Sequence, residues 1–201
     1  MKTRPVLFPV LLAAVLGLGG CASAPVRYYT LVAPAASNGA ATASYQIEVL
    51  PVGIPEALDR PGLVVRQGEA GVAVLDRERW AGPLGEEVRR ALSARLAVLL
   101  GAQDVSGLAR APGQPVVRVK VEIRRLDAWL GRQVDMDADW SMGFASSPQQ
   151  RTVCRSRLSQ SAPAGDVEAL ATACQQLLNS LAQRIAHAVQ SHGGENDADC
   201  T

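Results

Sequence analysis

From Val134 to Phe144 the chain alternates along its length. Val134, Met136, Ala138, Trp140, Met142 and Phe144 are apolar, whereas Asp135, Asp137, Asp139 and Ser141 are polar. Wound as a helix, these residues would scatter apolar and charged groups around the whole circumference. As a strand they separate onto two faces, one for a core and one for water. Such a strand needs neighbours to be stable, and the flanking sequence supplies them. "ASSPQQ" reads as a turn and "RTVCRSRLSQ" as a second strand. A hairpin register that sets Asp139 opposite Arg155, Asp137 opposite Arg157 and Trp140 opposite Cys154 puts opposite charges on one face and apolar groups on the other. Upstream, "VVRVKVEIRRL" alternates in the same way until Arg124-Arg125, where the break in phase predicts a bulge.

Two helices are marked by a different period. Leu84, Val88, Ala91, Leu92, Leu96 and Leu99 recur at spacings of three and four, with Pro83 expected at the first helical position and Gly101 as the stop. Glu86 and Glu87 favour the positive end of that helix. Val167, Leu170, Cys174, Leu177, Leu178, Leu181 and Ile185 form the stripe of a second helix over about 167–189, with Asp166 as N-cap. Earlier, "VRYYTLV", "YQIEVLPV", "LVVRQ" and "GVAVLD" read as strands, the last two joined as a hairpin through Gly68–Gly71. "APAASNGAATAS" is a small-residue linker. Strands, a helix, three strands and a helix predict an α+β fold: one mainly antiparallel sheet with two long helices packed on one face, in a single domain.

The N-terminus sets the location. Lys2 and Arg4 precede an uncharged apolar run too short for a membrane span of ~20 residues, the layout of a secretory signal peptide. Its end, Leu18-Gly19-Gly20-Cys21, resembles the lipobox of bacterial lipoproteins, whose cysteine thiolate accepts a diacylglycerol before cleavage on its N-terminal side. The alternative is a plain signal peptide with a chance cysteine. Ala22 in place of Asp implies, by the same resemblance, sorting to the outer membrane of a Gram-negative cell. The expected organisation is a signal peptide over 1–20, a lipidated tether over 21–27, a domain over 28–190 and a polar tail over 191–201. The tether is too short to let the domain leave its membrane, so a partner must come to it. Cleavage also removes Lys2 and Arg4, so 18 basic side chains face 19 acidic ones. That balance argues against nucleic acid as a partner.

Chemistry-bearing clusters are sparse. Asp135, Asp137 and Asp139 spell D-x-D-x-D, but a calcium loop needs glycine at the sixth position, where Trp140 stands, and a later bidentate glutamate. On a strand these carboxylates splay ~7 Å apart, so they read as a solvated face and no metal is expected. His187 and His192 are the only histidines, and no nucleophile motif accompanies them. Neither an enzyme nor a cofactor is therefore expected. Cys154 and Cys174 face a common core in this reading. A disulfide between them, two buried free thiols, or a bond from Cys174 to Cys200 all remain open.

The segment from Tyr28 onward carries a wider resemblance. "YYTL", a strand ending at Pro51-Val52, "IPEALDRPGLVVR" and "RWAGPLGEEV" leading into a helix are similar to the PqiC/YmbA-type lipoproteins, auxiliary components of ABC-type transport. Pro55, Leu58, Asp59, Arg60, Pro61, Arg66, Trp80 and Pro83 carry the likeness. Physically the motif reads as structural: the prolines hold an extended path around Leu58, Arg60 or Arg66 anchors a neighbouring carboxylate or carbonyl, and Trp80 packs under the new helix. The sharper reading makes it a recognition surface. The resemblance implies a non-enzymatic, outer-membrane-anchored lipoprotein that docks an MCE-domain protein of an intermembrane lipid-transport system, as a homo-oligomer. The competing expectation is a carrier with its own apolar pocket behind the Val134–Phe144 face. Two helical stripes are available to fill that space, which favours docking.

Overall fold

The computed structural model describes residues 24–34, 42–109, 113–147 and 149–191. The signal segment, Cys21, the middle of the linker, His192 and Cys200 lie outside them. In chain order the elements are β1 (Arg27–Tyr29), β2 (Gln46–Val49), β3 (Gly62–Gln67), β4 (Gly71–Trp80), α1 (Leu84–Leu100), β5 (Val116–Trp129), β6 (Gln133–Phe144), β7 (Thr152–Ser161) and α2 (Val167–Ser191). The fold is α+β and a single domain, as the periodicities predict.

The alternating strand behaves as its pattern demands. Val134, Met136, Ala138, Trp140 and Met142 of β6 are all buried. The β6–β7 register is the expected one, with Asp139 opposite Arg155, Asp137 opposite Arg157 and Trp140 opposite Cys154. Trp140 donates its indole N–H to Ser156 Oγ at 3.0 Å, so the one polar atom it carries into the core is satisfied. The β5–β6 register shifts between Ile123 and Arg125, as the break in phase implies. The bulge turns both Arg124 and Arg125 to the outer face, where one reaches Asp139 and the other Asp137.

Both helices pack over the inner face of the sheet formed by β2, β5, β6 and β7. The whole predicted stripe of α2, from Val167 to Ile185, is buried. Asp166 Oδ1 accepts from the Ala169 N–H at 2.8 Å and closes the helix start. Gly101 ends α1 at φ 57°, in the left-handed region where a side chain would be strained. Pro83 departs from expectation by one position. It is the N-cap, with extended ψ of 133°, and its carbonyl accepts from the N–H groups of Glu86 and Glu87.

Sheet architecture is the larger correction. The described residues form two sheets instead of one, β1-β4-β3 and β2-β5-β6-β7, and each contains a parallel pair, β1 with β4 and β2 with β5. The chain between β2 and β5 contains a hairpin and α1, a connection long enough to bring the strand back in the same direction. The 14-residue β5 also serves two neighbours along one edge. Its first half pairs with β2, and β3 packs beside it further on. Gly53 makes the transition possible: it bonds both ways to the β5 backbone at Val121 and Ile123, and a Cβ there would sit 2.0 Å from the Glu122 carboxylate. β4 also runs on to Trp80, beyond the "GVAVLD" stretch read as the strand.

The cysteines resolve against the Cys154–Cys174 disulfide. Cys174 is a buried free thiol, and Cys154 is disulfide-bonded, so the two are not joined to each other. Both side chains do reach the core, but sharing a core does not bring two sulfurs within bonding distance. Burial pushes the Cys174 thiol up to about 12, so it carries almost no thiolate at neutral pH. In the native protein Cys174 is expected to resist iodoacetamide and to be labelled only after denaturation. Mass spectrometry of the α2 peptide checks this, and rapid native labelling would contradict it.

Candidate docking site

The resemblance motif is built on three connected pieces: the loop after β2, strand β3, and the end of β4 leading into α1. The loop turns at Pro55, whose carbonyl accepts from the Leu58 N–H at 2.8 Å. It then joins the three-stranded sheet, because the Trp80 N–H donates to the Pro61 carbonyl at 3.2 Å. Leu58, Trp80 and Leu84 line one internal pocket together with Leu63, Leu170 and Cys174. Trp80 therefore packs beneath the start of α1. The apolar members of the motif, 22 residues apart from Leu58 to Trp80, share one patch of core. Asp59, Arg60, Pro61 and Pro83 stay exposed around that anchor and form the candidate docking surface.

Arg66 takes a partner that no local spacing indicates. Its Nε lies 3.0 Å from Asp127 Oδ1 on β5, and its guanidinium stands 5.9 Å from the centroid of Trp129. This ties the three-stranded sheet to the far half of β5. Asp127 also meets Arg125, which in turn bonds Asp137. On the same outer face Asp139 accepts from Arg124 at 2.8 Å and from Arg155 at 2.6 Å. The D-x-D-x-D carboxylates are thus held separately, Asp135 by Gln133, Asp137 by Arg125 and Asp139 by two arginines. Among the described residues no group of acidic, histidine and cysteine side chains is arranged to hold a metal.

The hydrogen bonds from Arg155, then those from Arg124, hold the Asp139 carboxyl well below the usual carboxylate range. A group depressed in the folded state stabilises fully above its unfolded value of about 3.9 and loses that contribution as pH falls through its folded value. Asp139→Asn is therefore expected to lower the urea midpoint at pH 7, and the gap from wild type should narrow steadily below about pH 4. A gap independent of pH from 7 to 2 would refute the pairing as its source.

One group that the sequence left as a helix-dipole carboxylate proves central. Glu87, in the first turn of α1, is 1% exposed. Its Oε2 accepts from the Thr30 hydroxyl at 2.7 Å and the Leu31 N–H at 3.0 Å, while Oε1 accepts from Arg90 at 2.6 Å. The segment after β1 is thereby clamped to α1, and Gln175 Nε2 adds a second clamp by donating to the Thr30 carbonyl. From the two ends of β1, Arg27 and Tyr29 both bond Glu78, and chiefly the bond from Arg27 holds that carboxyl below its ordinary range.

A cleft of about 300 Å³ opens between the helices, lined by Leu31, Ala91, Arg95, Gln175 and Asn179 among others. It is at the lower limit for drug-sized ligands, about 300–1,000 Å³. No helix among the described residues is long and apolar enough to cross a membrane.

Residues 29–186 match the family described as ABC-type transport auxiliary lipoprotein component. Two solved structures share the fold. One, an uncharacterized protein, aligns with a TM-score of 0.66 at 18% identity, covering 82% of this chain and 99% of its own. The other, a Xanthomonas campestris protein of family DUF330, aligns at 0.63 and 16% identity, covering 84% and 97%. No curated protein matches the sequence.

Proposed function

Since the chain belongs to the family of ABC-type transport auxiliary lipoprotein components, we propose that it is a non-enzymatic lipoprotein of the outer membrane that docks the periplasmic end of an MCE-type lipid-transport assembly. Residues 1–20 are the signal peptide, Cys21 carries the lipid, 28–190 form the docking domain and 191–201 a polar tail. The observation that carries the reading is the family match combined with the tether. Arg27, the first residue of β1, stands six residue steps after Cys21, a reach of about 22 Å at ~3.6 Å per residue. A domain held that close to its bilayer cannot ferry cargo across the periplasm, so the transporting partner must cross to it. The exposed Asp59, Arg60, Pro61 and Pro83 are the surface offered to that partner, and a homo-oligomer would multiply it.

The carrier alternative loses ground on packing. The face of β6 that would line a lipid cavity is filled by α2 and buried, and the cleft between the helices holds less than a diacyl lipid requires. The test is capture from the native host. Tagged full-length protein is extracted from membranes in mild detergent after light crosslinking, beside an unrelated outer-membrane lipoprotein. Enrichment of an MCE-domain protein supports docking. Phospholipid at fixed stoichiometry with no protein partner would sink docking and promote the carrier.

A further inference from the structure

Four parts of the chain meet at one end of the domain. The residue after β1 is tied to the first half of α2, the Thr30 carbonyl accepting from Gln175 Nε2, and the start of β1 lies within reach of the Asp166 charge at the helix start. The chain leading back to Cys21 therefore leaves beside the N-terminus of α2. The β5–β6 turn reaches the same place. A Cβ on Gly131 would lie 3.8 Å from the Gly165 Cα, and the Arg132 carbonyl accepts from the Ala162 N–H at 2.8 Å. The turn end of the β3–β4 hairpin joins them through Arg66, which touches Asp127 and the Trp129 ring.

This end carries an unusual surface. Val26, Leu130 and Val72 are 40%, 39% and 55% exposed. Trp129 is partly exposed, with the Arg132 guanidinium 4.9 Å from its centroid. Arg132 has no carboxylate partner among the described residues. Aliphatic side chains, an indole with a polar edge and a guanidinium without a carboxylate among the described residues suit the boundary between acyl chains and phosphate headgroups. From the position of the chain exit and a tether of about 22 Å, we infer that this end is a second membrane contact: the β5–β6 turn, Trp129 to Arg132, sits in the headgroup layer and orients the domain on the bilayer. This rests on lipid attachment at Cys21.

The test uses full-length protein purified from membranes and reconstituted in phosphatidylethanolamine and phosphatidylglycerol vesicles doped with acyl-brominated phosphatidylcholine. Trp80 and Trp140 are buried and give the unquenched background. One of three tryptophans meets the quencher, so a loss of up to one third of the emission is expected. Trp129→Phe should abolish that loss. A benzophenone side chain in place of Leu130 should crosslink to lipid. Equal quenching of the two proteins overturns the inference, as does crosslinking to protein, whether a partner or a second copy. The mass of the N-terminal peptide separates the two readings. Lipid on Cys21 with Trp129 unquenched defeats only this inference, whereas an unmodified Cys21 brings down the anchor as well.

Discussion

Trp80→Ala is expected to lower the thermal midpoint by about 8–15 °C, the largest effect of any single truncation in the motif. Removing a buried tryptophan side chain costs about 3–5 kcal/mol, and in a domain of this size each kcal/mol shifts the midpoint by about 2–4 °C. The void would open beneath Leu58, Leu63, Leu84 and Leu170. These come from a loop, a strand and two helices, so no single element can move to fill it. Trp80→Phe keeps most of the volume and should recover more than half of the loss. The comparison also separates the motif's two readings. A structural Trp80 loses stability in step with the volume removed. If Trp80→Ala unfolded within 2 °C of wild type, packing would not explain the residue.

Glu87→Ala should cost about 2–3 kcal/mol and act first on the N-terminal segment. The substitution strands a buried Leu31 N–H, a loss of about 1–3 kcal/mol, and removes the partner of Arg90. Breaking a fully buried pair costs about 3–5 kcal/mol, but the Arg90 side chain is 50% exposed and can rehydrate, which places the total lower. Glu87→Gln retains an acceptor for Thr30 or Leu31 and should cost about half as much. Hydrogen exchange gives the specific readout: the Leu31 amide should lose protection at lower denaturant than amides of β6. Uniform change across both would refute a local clamp. The clamp also bears on function. If the segment around β1 detached, the leash from Cys21 would lengthen to the start of β2, and the domain would no longer be held against its membrane.

Asp166, Gly101, the β6 alternation, the bulge at Arg124-Arg125 and the β6–β7 register were all legible in the chain. Each is written locally: a cap is a residue next to its helix, and a strand of period two declares its faces residue by residue. Cross-strand charge pairing then selects the register across a short turn. The candidate site was legible only in part. Leu58 and Trp80 could be named, and Trp80 placed under α1, because both stand beside the prolines and the helix start. The Arg66 partner could not. Asp127 is 61 residues away and sits on the solvated face of a strand like several other aspartates.

The amino-acid sequence by itself determined which residues face the core, where the helices begin and end, and which face of the sheet carries charge, because these follow from nearest-neighbour geometry along the chain. Only the tertiary structure decided that β2 and β1 join their sheets in parallel, that the sheet divides in two along β5, that Cys174 stays unpaired, and that Glu87 is a buried hub. Those outcomes depend on which distant segments arrive side by side. A carboxylate can be buried only where Thr30, Leu31 and Arg90 converge on it, and no local pattern encodes that convergence.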